Sequence, residues 1–436
     1  MKQPRVGTVI AVNGLIVTVR LTDERPGESE VLSIEGHPEV ILIWREYLDR
    51  QTARYINIAG AEGIAMRMSV TATGQMLSAP TGPGALGRVF DALGRPLDGK
   101  PNPEKATYVP VFNQDNRPVF KPIAPHILET GIKVIDFFAP FVKGRKIGII
   151  GGAGVGKTVL TTELMHNISS AKTAISFFVG IGERIREAHE LYDTLKERKL
   201  SDETIMFLGQ MNENAGMRSL VGLTAAASAE YFRDKAGSDV LFFIDNIYRY
   251  VQANNELSTM LSLIPSEGGY QPGLFSELHR FEERLNSSTH GSITSVQSIY
   301  IPADDLSDPA VVEIAQQLDS VIVLSRSIFE AGIFPAVDLL ATRSSLVSAD
   351  IVGERHYLLV RRVQQILEKH ASLENIIAII GESELSIADR DAYSKARQLI
   401  QYFTQPMFVT EDLNGTAGKF YSREETLAGV EEILAG

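Results

Sequence analysis

Along residues 6–74 apolar and polar positions alternate in short runs: Val6–Val12, Leu15–Leu21, Glu30–Ile34, Val40–Trp44, Ala53–Ile58 and Ile64–Thr73. Such alternation marks half-buried strands, and a recurrence of about ten residues predicts a small closed barrel or a sandwich. Asn13-Gly14 between the first two runs favours a two-residue hairpin, because both turn positions accept positive φ. A Pro- and Gly-rich stretch, Ser78–Gly99, then reads as linker and turns. Beyond it the period changes. Continuous apolar runs at Ile147–Ile150, Ala174–Val179, Thr204–Leu208, Val240–Ile244, Ser292–Ile301 and Val321–Leu324 alternate with helical spacing, the pattern of a parallel sheet covered on both faces. After about Ile351 only helical spacing remains: Leu358, Leu359, Val363, Ile366 and Leu367 fall on one face, Ser386-Ile-Ala-Asp389 reads as a capping box, and Leu427, Val430, Ile433 and Leu434 mark a last helix. The chain divides into residues 1–76, all β; 77–350, α/β; and 351–436, helical.

Length agrees with that division, since 436 residues at ~150 per domain correspond to about three domains. With 44% hydrophobic and 22% charged residues, the chain can build cores and is not a disordered polymer. Its net charge of −12 has the wrong sign for a nucleic-acid binder. Cysteine is absent, which excludes disulfides, thiolate metal sites and cysteine nucleophiles, and fits a reducing compartment. The start, Met1-Lys-Gln-Pro-Arg5, has no apolar leader, and no apolar run approaches the ~20 residues that span a bilayer. A cytoplasmic chain without direct membrane insertion is expected.

The most specific local pattern is Gly151-Gly152-Ala153-Gly154-Val155-Gly156-Lys157-Thr158, which follows a strand and leads through Val159 into a helix. This is the G-x-x-x-x-G-K-[ST] phosphate-binding loop: its glycines let backbone N–H groups converge on an anion, and the helix start adds its dipole. Lys157 is placed to reach the β- and γ-phosphates, and the Thr158 hydroxyl to ligate Mg²⁺. Asp245, closing the apolar strand Leu241–Ile244, is a candidate to hold Mg²⁺ through water; an Asp there also serves as a helix N-cap. Glu183 and Arg184 open a helix just after the strand Ala174–Val179, where ligands of parallel sheets bind, although a solvated charged first turn has the same spacing.

Taken together, these residues resemble the catalytic β subunit of F-type ATP synthases over nearly the whole chain. The blocks that carry the resemblance are GGAGVGKT (151–158), GERIRE (182–187), GQMNE (209–213), AEYFRD (229–234), FIDNIYRY (243–250), GYQP (269–272), GSITSVQSIYIPADDLSDP (291–309) and GIFPAVD (332–338). Noncatalytic α relatives carry Gln where this chain has Glu183. The resemblance implies a multidomain α/β fold: an N-terminal six-stranded β-barrel, a central RecA-like P-loop NTPase domain with a parallel sheet, and a C-terminal helical bundle. It implies that Glu183 polarises the attacking water, that Lys157, Arg184 and Arg249 hold phosphate charge, and that Thr158 ligates Mg²⁺ with Asp245 and Glu187 acting through its waters. Tyr300 is expected near the ATP or ADP, and Phe334, Tyr402 and Phe408 around the adenine, with Met407 between the last two.

Partners implied by the resemblance are an alpha-type subunit, three alternating with three in a ring, that supplies an arginine finger; a central gamma-type shaft; and, through the complex, a membrane sector moving protons or sodium ions. The chain departs from the family at Phe334, where Tyr is usual, and at the shaft-contacting loop Glu382–Asp389, which has fewer carboxylates than usual. Asp304, Asp305 and Asp308 are expected near the shaft, or in a solvated turn. Two other classes compete: a regulatory or scaffold paralogue that binds nucleotide without coupling, and a homohexameric secretion-type ATPase.

Overall fold

The computed structural model describes residues 4–22, 25–60, 62–112, 124–169, 174–198, 200–261, 269–270, 273–302, 305–380, 385–411 and 415–435. Asp304 and the shaft-loop residues Glu382 and Glu384 lie outside them.

Six antiparallel strands, β1 (Arg5–Asn13), β2 (Ile16–Leu21), β3 (Glu30–Ile34), β4 (His37–Tyr47), β5 (Thr52–Asn57) and β6 (Ser69–Met76), close into a barrel in the order β1-β2-β5-β4-β3-β6. Closure, and not a sandwich, removes both sheet edges. The alternating residues Val9, Val17, Val19, Leu32, Leu42 and Val70 point inward and form its core. The hairpin sits one residue later than the sequence suggests. Asn13 pairs with Ile16, so the loop is Gly14-Leu15, and only Gly14 adopts positive φ, at 57°. Glycine at the first loop position suffices for a tight hairpin. The indole of Trp44 packs on the Tyr47 ring at 5.4 Å, and its Nε1 is buried without a hydrogen-bond partner.

The chain forms two compact units: unit 1 comprises Met1–Lys121 and Ala174–Ile293, and unit 2 comprises Pro122–Thr173 and Thr294–Gly436. Parallel strands run through both: β7 (Val89–Phe90), β8 (Lys146–Gly151), β9 (Ile175–Glu183), β10 (Thr204–Gln210), β11 (Val240–Asp245), β12 (Ile293–Tyr300) and β13 (Ser320–Val323). Unit 1 contains the barrel and β11-β9-β10-β7, in that order. Unit 2 contains β12-β8-β13. Every residue of β11 is buried, as expected of a strand covered on both faces.

The helical region lies in unit 2, with helices at Glu354–Ile380, Ile387–Tyr402 and Arg423–Ala435. Ser386 caps the second, its Oγ accepting the Asp389 N–H. The buried stripe of the first helix differs from the expected one: Leu358 is 56% exposed, and His356, Val360, Val363, Leu367 and His370 face inward. His356 fits there because its Nε2–H donates to the Phe137 carbonyl at 2.8 Å, and burial depresses its pKa to about 4, so it stays neutral. The architecture is thus a closed six-stranded barrel, a parallel-sheet α/β region and a C-terminal helical region.

Candidate nucleotide site

In unit 2 the phosphate loop leaves the carboxyl end of β8 and enters the helix Lys157–Ser169. Gly154 and Gly156 adopt φ of 74° and 93°, a region that side chains disfavour and that lets successive N–H groups turn the same way. At Gly151 a Cβ would lie 2.8 Å from the Val155 side chain, so the loop closes only over glycine. Gly152, Ala153 and Gly154 form the loop apex, while Val155 is buried at its base. The Lys157 ammonium donates to the Gly151 carbonyl at 2.7 Å and to that of Gly152, and lies 5.6 Å from the centre of the Tyr300 ring. Tyr300 ends β12 opposite Gly151. Thr158 is exposed at the helix start, followed by the half-buried Val159. A lysine beside a glycine loop that opens a helix is the arrangement by which such loops take an anion.

Unit 1 holds the acids. Glu183 ends β9, Asp245 ends β11, and Gly180 pairs with Asp245 across the two strands. Asp245 is buried and is not the helix cap: Asn246 caps Ile247–Met260, its side chain accepting the Arg249 N–H. Arg184 occupies the N-cap of Ile185–Glu197 and lies exposed, 3.6 Å from Glu187. The Glu183 carboxyl stands well above the usual carboxylate range, first because it is desolvated, then because it shares a hydrogen bond with Glu187 and faces the charges of Asp245 and Glu187. Gly182 brings Arg249 to this cluster: with φ of 66°, it leaves the room in which the Arg249 stem packs, 3.2 Å from where a Cβ would be. The carboxylates of Glu187 and Asp245 are hard oxygen ligands of the kind that Mg²⁺ takes together with hydroxyls, phosphates and water. Among the described residues, no group of three or more His, Asp or Glu has the geometry to hold a metal by itself.

The expected adenine residues all lie in unit 2, in different surroundings. Phe334 is 40% exposed and meets Phe329 edge-on, with centroids 5.3 Å apart. Phe408 packs on His166, at 5.2 Å, and its N–H is accepted by the buried Glu163 of the phosphate-loop helix. The Tyr402 ring takes the Lys133 ammonium at 4.4 Å, while its hydroxyl donates to the carbonyls of Glu425 and Thr426. Met407 is buried.

Two neighbours of the loop escaped the sequence reading. Arg326, three residues past β13, donates to the Ala153 carbonyl at 3.0 Å, and Phe329 braces Phe334. Their one available signal was position, just beyond the carboxyl end of a parallel strand.

Residues 131–344 match the ATP synthase alpha/beta family, nucleotide-binding domain, and residues 347–423 match the C-terminal domain of V and A type ATP synthase. The chain therefore carries the nucleotide-binding domain of the ATP synthase alpha/beta family, joined to a C-terminal domain of the V and A type. The first match includes the phosphate loop, Glu183, Asp245, Arg249 and Phe334; the second includes Tyr402 and Phe408. No helix among the described residues is long and apolar enough to cross a membrane.

Proposed function

We propose that this chain is the catalytic β-type subunit of a rotary F-type ATP synthase or ATPase, which interconverts ATP with ADP and phosphate at an interface with an alpha-type subunit. Its domains would be the barrel (1–76), the nucleotide-binding domain (77–350) and the helical domain (351–436). The observation that carries the reading is the carboxyl of Glu183 at the end of β9, crowded by Glu187 and Asp245, in a chain that also has a complete phosphate loop.

In this reading, Glu183 orients a water whose oxygen attacks the γ-phosphorus as the bond to the bridging oxygen of ADP breaks, and the proton leaves toward the Glu183 carboxylate. Lys157, Arg184 and Arg249 stabilise charge on the transferring group. Thr158, Asp245 and Glu187 would hold Mg²⁺, which supplies charge neutralisation on the phosphates. That positive charge would also lower the Glu183 pKa toward the ionised form needed to accept a proton. An alpha-type partner would contribute an arginine finger, a gamma-type shaft would couple turnover to rotation, and the membrane sector would move protons or sodium ions. The chain would then be peripheral to a membrane through its complex.

The C-terminal match favours a second reading, an alpha/beta-type subunit of a V or A type complex. Reconstitution with alpha-type and shaft-type partners of either class tests both. ATP turnover that appears only in the F-type mixture, and falls at least ~100-fold in Glu183→Gln with nucleotide binding retained, is the expected result. An unchanged rate in that variant would remove Glu183 from the site, and productive assembly with V or A type partners alone would select the second reading.

A further inference from the structure

Between β13 and residue 337 the chain makes a short excursion. Its base is closed by a bridge between Leu324 and Val337 and by the Ser325 N–H, which donates to the Ala336 carbonyl at 2.9 Å. Inside lies a one-turn helix, Arg326–Glu330, none of whose residues is buried. Such a helix gains little from burial, and packing into a core does not explain its position. Its contacts lead in two directions: Arg326 reaches the apex carbonyl of the phosphate loop at Ala153, and Phe329 meets Phe334 at an interplanar angle of 87°. At 1.5 Å per residue the two side chains leave the helix about 4.5 Å apart along its axis. Phe329 and Phe334 are 37% and 40% exposed, which leaves aromatic surface open on the same excursion that carries Arg326.

We propose that this excursion is a strap that spans a bound nucleotide: Arg326 fixes the loop that takes the phosphates, and Phe329 fixes the tilt of the Phe334 ring on which the base stacks. Both are positioning residues, and the chain consequently selects a base-bearing nucleotide over a bare polyphosphate. An edge-to-face partner sets ring orientation through the quadrupoles of the two rings, which an aliphatic side chain cannot do. The inference rests on the nucleotide-site reading above and adds two residues to it.

Calorimetric titration of the full-length chain with Mg-ADP and with Mg-tripolyphosphate tests it. Phe329→Ala should weaken ADP about threefold to tenfold and leave tripolyphosphate within about twofold, and Phe329→Tyr should restore ADP affinity. Arg326→Ala should weaken both ligands by a similar factor, because the loop serves both. Retained tripolyphosphate binding shows that the Phe329 variant is folded. Equal loss of both ligands in Phe329→Ala, or no loss of ADP, would overturn the strap while leaving the nucleotide site standing. Failure of the unmodified chain to bind either ligand would overturn the nucleotide site itself, and the strap with it.

Discussion

The phosphate loop of unit 2 and the carboxylate cluster of unit 1 are built by opposite means. In the loop, the binding groups are backbone N–H groups whose direction is set by two glycines in left-handed conformations, and Lys157 is the principal charged side chain. In the cluster, side chains do the work: the Glu183 carboxyl is held above the usual carboxylate range by burial, by a hydrogen bond with Glu187 and by the charges of Asp245 and Glu187, with Arg249 delivered past Gly182. A backbone site carries no net charge to desolvate, and its lysine bonds to the loop's own carbonyls. A cluster of like charges is costly when empty and becomes favourable only when a cation or a proton arrives. In the function proposed above, the first binds and the second does the chemistry.

That contrast can be broken by substitution. Lys157→Ala should lower ATP turnover about 10²–10³-fold and weaken nucleotide as well, whereas Glu183→Gln should lower turnover alone; equal binding losses in the two variants would erase the distinction. Acid gives a second separation. The neutral His356 imidazole of unit 2 has a folded pKa near 4, against an unfolded value of 6.5, so between these values the unfolded chain binds the proton that the folded chain refuses. Its contribution is complete above pH 6.5 and is lost as pH falls toward 4, by about 3 kcal/mol in total. The gap between the unfolding free energies of wild type and His356→Gln, measured by denaturant, should change by this amount across that range; parallel curves would refute it. The smallest effect is expected at Gly182→Ala, where positive φ and the Arg249 contact should cost unit 1 about 1–2 kcal/mol. Displacement of Arg249 should reduce turnover there without loss of tripolyphosphate binding, and a shifted denaturation midpoint would report the strain.

The same contrast governs what could be read from the sequence. The conformation of the phosphate loop was legible because it is local: eight consecutive residues between a strand and a helix define its geometry. The barrel strands were legible through alternation, with an error of one residue at the Gly14 hairpin, where a glycine alone satisfies the turn, and with the last strand opening at Ser69 where the alternation begins at Ile64. Glu183 was not legible from spacing, since a charged first turn has the same pattern; only the family resemblance singled it out. Arg326 and Phe329 were invisible, because their meaning depends on which loop and which ring the excursion meets after β13. The stripe of the first C-terminal helix was misplaced because a polarity scale does not anticipate a buried histidine whose one N–H is satisfied by a carbonyl.

The chain has one tryptophan, Trp44, and it lies in β4 of the barrel with its N–H shielded from water. Tryptophan emission of the isolated chain, excited at wavelengths that tyrosine does not absorb, is therefore a signal from the barrel alone, blue-shifted while the indole is dry and red-shifted once β4 opens. Unfolding traces followed by this light will time the barrel, and helical circular dichroism will time the rest. A gap between the two midpoints would show directly that the barrel melts as a separate cooperative element.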